Sequence, residues 1–100
     1  MNILSIFGVK SKKQEKIASF LENNALIVDV RSKGEFNSGH APFSVNVPLD
    51  SVKHKVAKLK STKRPLILVC RSGARSGAAA TLLSSEGIEC VNGGSWNNFA

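Results

Sequence analysis

The sequence contains no tyrosine, and only six of its 100 residues are aromatic. That leaves too few flat side chains for a groove that stacks nucleic-acid bases. It has only two cysteines, Cys70 and Cys90, twenty positions apart, too few for a disulfide-stapled secreted framework. Neither stands in a C-x-x-C or Cys/His cluster with metal-ligand or thioredoxin-type spacing, so nothing calls for a metal or another cofactor. No stretch approaches the roughly 20 apolar residues of a membrane span. The apolar start, Met1 to Val9, lacks a basic lead-in and an A-x-A-like cleavage site, so the expected location is cytoplasmic, with no membrane partner.

Acidic residues are scarce too. Seven Asp and Glu face 14 Lys and Arg, a net charge of +7 that favours anionic partners. The positive charges form two groups: Lys10, Lys12, Lys13 and Lys16, then Lys53, Lys55, Lys58, Lys60, Lys63 and Arg64. Both read first as solvated helix faces, and the second also as a docking face for an acidic protein. With so few aromatics, no nucleic-acid partner is expected.

One hundred residues make one domain, 1–100, with a real core, and 42% hydrophobic content is ordinary for a globular chain. Helical and strand-like stretches alternate. Lys13 to Asn23 sets Ile17, Phe20 and Leu21 on one helix face, and Ala25 to Val30 is a β-branched run without alternation, the pattern of a strand buried on both faces. Ser32 to Ser38 predicts a short helix with Ser32 and Glu35 as a capping box, ended by Gly39. Val45-Asn46-Val47 is a second short strand. Asp50 or Ser51 is then expected to cap a basic helix over Val52 to Lys60. Leu66 to Val69 is the most strand-like segment. A helix from about Ser76 to Glu86 follows, with Gly87 beyond its end, then a strand at Ile88 to Val91 and a turn at Gly93-Gly94. Strands separated by helical crossovers imply an α/β fold: an open, mainly parallel sheet with helices on both faces.

In such sheets ligands bind beyond the carboxyl ends of the strands, and Cys70 stands there. Cys70-Arg71-Ser72-Gly73-Ala74-Arg75-Ser76 supplies what a reactive sulfur needs, because the thiolate is the nucleophile and cations and helix N-termini favour it. Arg71 and Arg75 bring fixed charge. Gly73 lets the backbone curl so that the amides of residues 71 to 76 converge on an anion. Arg75 reads as the loop's anchor or a two-pronged oxyanion clamp, and Arg71 as the exposed, substrate-facing charge. Ser72 and Ser76 are candidate donors, Ser76 equally a helix cap. Cys90, in an apolar strand, reads as a core residue. Arg31 and Glu35 are spaced to pair across a strand–helix turn, His40 to fix a loop, and His54 to lie in solvent.

These residues resemble the rhodanese family, whose active-site loop is a cysteine followed five positions later by an arginine. Asp29-Val30-Arg31 is similar to the family's D-x-R, Glu35-Phe36 and Gly39-His40-Ala41 to its E-[FY]…G-H-[IA], Asn46-Val47-Pro48 to its N-[IV]-P, and Gly93-Gly94 with Trp96 to its closing G-G…W. The likeness spans about Ala25 to Trp96. Phe43 and Ser44 depart from a common Gly-Ala pair. The resemblance implies a rhodanese-like single domain and a sulfurtransferase. Cys70 would take sulfane sulfur from thiosulfate or a persulfide donor, carry it as a persulfide, and pass it to cyanide, a thiol or a protein acceptor. Arg71, Ser72, Gly73, Ala74, Arg75 and Ser76 would bind the substrate.

Two rival classes stand beside this reading. Phosphatases and arsenate reductases of the related kind carry Cys-x5-Arg, one residue longer, and an assay with arsenate or a phosphoester discriminates them. A non-catalytic rhodanese-like binding or regulatory module generally lacks the cysteine that this chain keeps.

Overall fold

The computed structural model describes residues 10–100; the apolar start read above lies outside them. The buried run predicted around residue 28 is β1, Leu26–Asp29, and the one before Cys70 is β3, Leu66–Cys70, whose five residues are all buried. Two further strands, β2 at Val45–Asn46 and β4 at Cys90–Ser95, complete a sheet of order β2-β1-β3-β4. Every pairing among the described residues is parallel.

Parallel strands need crossovers, and the helices that provide them cover both faces. On β3, Leu66, Leu68 and Cys70 pack into the larger core cluster beneath α5, Ala74–Ser85, together with Val52, Leu59, Ala79 and Leu83. Ile67 and Val69 point the other way, onto Phe20 of α1, Lys12–Glu22. The remaining helices are α2 (Lys33–Asn37), α3 (Leu49–Val52) and α4 (Val56–Ser61), with a closing 3-10 turn at Trp96–Phe99. Among the described residues, no helix is long and apolar enough to cross a membrane.

Local chemistry explains most boundaries. Ser32 and Glu35 form the predicted capping box on α2, and Ser11 with Gln14 forms a second on α1 that starts the helix one residue earlier than expected. Asn23 ends α1 as read, and Gly87, at φ 82°, follows α5.

Three expectations are corrected. The single basic helix is two short ones, preceded by Pro48 and Lys55 and without a side-chain cap, so neither Asp50 nor Ser51 caps it. The break falls on Lys53-His54-Lys55, three exposed polar residues between the buried Val52 and Leu59. The helix after Cys70 begins at Ala74, with Gly73 at its N-cap in a left-handed conformation (φ 107°). Ser76 is therefore a first-turn residue and not the cap. Finally, Gly93-Gly94 is no turn. It continues β4 through a bulge, where Leu68 faces Asn92 and Val69 faces Gly94, leaving Gly93 as the extra residue. A Cβ on Gly93 would lie 2.6 Å from Ile67 Cγ2, a contact no side chain can make, so only glycine lets the bulge press onto the sheet. The family departure at Phe43 has a backbone counterpart: its φ is 63°, a region bulky residues seldom occupy, and the ring is fully exposed.

Candidate active site

Cys70 ends β3 with its side chain on the α5 side of the sheet, and the next three residues turn the chain into α5. Gly73's left-handed conformation aims its own amide back at the sulfur. The Gly73 N–H donates to Cys70 Sγ at 3.0 Å and the Ser76 N–H at 3.5 Å, while the Ser76 hydroxyl stands 3.3 Å away. The sulfur thus sits at the N-terminus of a twelve-residue helix, inside a ring of donors.

Burial opposes ionisation of Cys70, which is 1% exposed. Hydrogen bonds from the Ser76 hydroxyl and from the amides of Ser76, Gly73 and Ser72 outweigh it, and bring the thiol from 9.0 to about 7. The thiolate fraction measured by ultraviolet absorbance is therefore expected to rise through a midpoint near pH 7. Because the folded value is depressed, stability rises with pH between about 7 and 9.0 and is lost as pH falls through 7. Ser76→Ala is expected to raise the midpoint; an unmoved midpoint would mean that the backbone amides alone hold the thiolate.

Arg75 is the loop's tether. Its guanidinium donates to both Glu35 carboxylate oxygens, at 2.7 and 3.1 Å. That pair raises the arginine's proton affinity, and its hydrogen bonds are the largest cause holding Glu35 down near pH 2. The fork expected to clamp an oxyanion is thus spent on α2. Arg71 is exposed at the mouth of the loop, as are Ser72 and Ala74, whereas Ser76 is buried.

The expected Arg31–Glu35 pair does not form. Arg31 turns inward to Asp29, with Nη2–Oδ2 at 2.8 Å and Nε within 3.0 Å of both oxygens. Its Nη2 also donates to the Gly39 carbonyl at 2.7 Å, and Trp96 covers the guanidinium plane at 4.6 Å. The reason is geometric: Asp29 and Arg31 both lie at the buried end of β1, while Glu35 faces the loop. His40 stacks on Phe36 and its Nδ1 donates to the Phe36 carbonyl at 2.8 Å, so it fixes a loop. His54 is exposed. Cys90 faces Leu66, four ladder positions from Cys70, about 13 Å along the strand and beyond disulfide reach.

The Rhodanese-like domain family matches residues 13–100. The chain belongs to that family. This rhodanese-like domain is 36% identical over 77 residues to the thiosulfate sulfurtransferase GlpE of Pseudomonas savastanoi pv. phaseolicola, covering 77% of the chain and 72% of the relative. It is also 36% identical over 63 residues to YqhL of Bacillus subtilis, covering 63% of the chain but spanning only 49% of that protein. Among solved structures, a rhodanese with anions from E. coli superposes with a TM-score of 0.69 at 28% identity, covering 76% of this chain and 92% of the other. The solved rhodanese shares the fold of this chain, and several relatives that cover most of the chain are named sulfurtransferases.

Asn92 escaped the sequence reading altogether. From β4, its Oδ1 accepts the Ser76 hydroxyl at 2.6 Å and its Nδ2 donates to the Gly73 carbonyl at 2.9 Å. The available signal was a polar residue at the end of an apolar run, beside the glycine pair.

Proposed function

We propose that the chain is a sulfurtransferase that carries sulfane sulfur as a persulfide on Cys70. The observation that carries this reading is the ring of donors closing on one buried sulfur, with the thiol brought to about 7. The sulfurtransferase names of relatives support the same class.

The exchange balances without an external oxidant or reductant. The Cys70 thiolate attacks the outer sulfur of thiosulfate; a new S–S bond forms, and the old one breaks with its electron pair on departing sulfite. Cyanide or an acceptor thiolate then attacks the outer persulfide sulfur, and the Cys70 thiolate is restored. The amides of residues 71 to 76 stabilise the anionic sulfur in both states. Arg71, exposed beside Ser72 at the loop's mouth, attracts the thiosulfate oxyanion, while Arg75 holds the loop against α2. The four-residue spacer between Cys70 and Arg75 makes a cradle the size of one sulfur, which disfavours a phosphatase or arsenate-reductase chemistry.

The test is intact mass after incubation of the reduced protein with thiosulfate. One added sulfur that cyanide or dithiothreitol removes is expected; two added oxygens have nearly the same mass but resist reduction. Absence of any gain, with thiosulfate or a persulfide donor, would favour a binding module instead.

The acceptor class is a thiophile, and the basic residues around α4 suit an acidic acceptor protein. Lys53, Lys55 and Lys58 are exposed, so reversing Lys55 and Lys58 to Glu is expected to slow transfer to such a protein by several-fold while leaving transfer to cyanide unchanged. Equal loss in both assays would remove the docking role.

A further inference from the structure

The Ser76 hydroxyl has one proton and two neighbours that compete for it. Asn92 Oδ1 lies at 2.6 Å and Cys70 Sγ at 3.3 Å. The orientation of the Asn92 amide is settled by two other contacts: Nδ2 donates to the Gly73 carbonyl, and Oδ1 accepts the Gly94 N–H at 3.0 Å. Oδ1 is therefore an acceptor only, and the short contact requires Ser76 to donate to it. Toward Cys70 the hydroxyl then presents a lone pair, which suits a neutral thiol donating its S–H. It does not suit a thiolate or persulfide anion, which needs a donor at that position.

We propose that Asn92 is a positioning residue for the Cys70 sulfur: it holds the Ser76 hydroxyl proton while the sulfur is neutral and yields it when the sulfur becomes an anion. The inference rests on Cys70 being the reacting sulfur. No covalent bond changes in Ser76. The hydroxyl rotates about its C–O bond, Cys70's proton leaves to solvent, and one neutral hydrogen bond to Asn92 is exchanged for a charge-assisted one to sulfur. Asn92 Oδ1 keeps the Gly94 N–H throughout, so the exchange leaves no buried acceptor bare.

The placement fits this role. Asn92 sits at the β4 bulge, opposite Leu68. Gly77 on α5 leaves room for it; a Cβ there would lie 3.1 Å from Asn92 Nδ2. One amide thereby joins the loop turn at Gly73, the first turn of α5 at Ser76 and the bulge at Gly94. The ionisable groups on elements around Cys70 are Arg71 and Arg75 from the loop and α5, Asp29 and Arg31 from the end of β1, and Glu35 from α2. Asp29 is paired with Arg31 and Glu35 with Arg75, and β4 contributes the neutral Asn92 and Ser95. Ser76 and Asn92 are thus the adjustable polar pair.

The experiment is the thiolate absorbance titration in a Cys90→Ser background, for the otherwise unchanged protein, Asn92→Ala, Ser76→Ala and the double variant, each checked for native circular dichroism. If Asn92 competes for the proton, Asn92→Ala raises the thiolate-to-thiol ratio at fixed pH by about fivefold, the worth of one neutral hydrogen bond. That gain disappears when Ser76 is already alanine. A merely structural Asn92 gives the opposite sign, because loosening Gly73 withdraws its amide from the sulfur. A lowered or unchanged ratio, or the same shift in both Ser76 backgrounds, overturns the proposal. Should Asn92→Ala not fold, Asn92→Asp keeps an acceptor for Ser76 and adds a charge that lowers the ratio in both backgrounds. The lowering is expected to be larger where Ser76 is present, and equal lowering in both overturns the proposal. Thiosulfate loading is measured on the same proteins. A titration that moves as expected in a protein that never takes up sulfur supports Asn92's role and sinks the sulfurtransferase reading, and the reverse pattern sinks only the former.

Discussion

Replacing Cys70 with serine is expected to abolish sulfur loading and to lower thiosulfate-to-cyanide transfer by a factor on the order of 10³ or more, to the level of the free reagents. The fold should survive. A serine hydroxyl still accepts the Gly73 N–H and occupies nearly the same volume, so the amides that converge on the sulfur keep a partner. Alanine is the poorer control, because it leaves those donors facing a cavity and confounds lost chemistry with a loosened loop. Cys90→Ser is the informative companion: with its thiol against Ser84 and Ala80 at the far end of the sheet, it should load sulfur as the unchanged protein does. Sulfur retained by Cys70→Ser and lost from Cys90→Ser would relocate the chemistry. Loss in neither, and none in the double variant that lacks both thiols, would show sulfur bound without a persulfide.

The position of Cys70, the proposed nucleophile, was legible in the sequence because two local signals coincide there. Leu66 to Val69 is a short, uniformly apolar run after Pro65, the pattern of a strand buried on both faces, and a glycine three residues after Cys70 marks where the chain must curl. The capping box at Ser32 and Glu35 was legible for the same reason: its partners are three residues apart. What stayed hidden depends on contacts between distant segments. The Glu35–Arg75 pair joins residues 40 apart, and nothing near Glu35 distinguishes that partner from Arg31, which is nearer in sequence. Asn92 reaches Ser76 and Gly73 only because β4 lies beside β3 and bulges at Gly93. A glycine pair reads locally as a turn; that it continues a strand follows from Ile67, Val69 and Phe99 crowding the place where a side chain would go. The basic helix failed differently. Its apolar spacing is correct, but three exposed polar residues in a row give the middle turn nothing to pack.

The largest expected loss of stability lies outside the sulfur loop, at Asp29. Its carboxylate is fully buried and accepts from the Arg31 backbone N–H at 3.0 Å as well as from the guanidinium. Arg31 is itself only 5% exposed. Asp29→Ala therefore strands a guanidinium in the interior with the Gly39 carbonyl and the Trp96 face as its remaining neighbours. Breaking one side of a buried pair costs about 3–5 kcal/mol. For a domain of this size that is a large share of a total of about 5–15 kcal/mol, and a fall in Tm of at least about 12 °C. The double variant Asp29→Ala/Arg31→Met should recover part of the loss, since it removes the stranded charge and leaves an apolar chain under Trp96. Because the Gly39 carbonyl and Trp96 both lean on Arg31, the single variant should also loosen the α2 end of the site, where Glu35 holds Arg75. Chemical denaturation of the two variants decides it. A loss below about 1 kcal/mol for Asp29→Ala would place Arg31 in the class of solvent-screened pairs and would remove the argument that this pair anchors the loop side of the sheet.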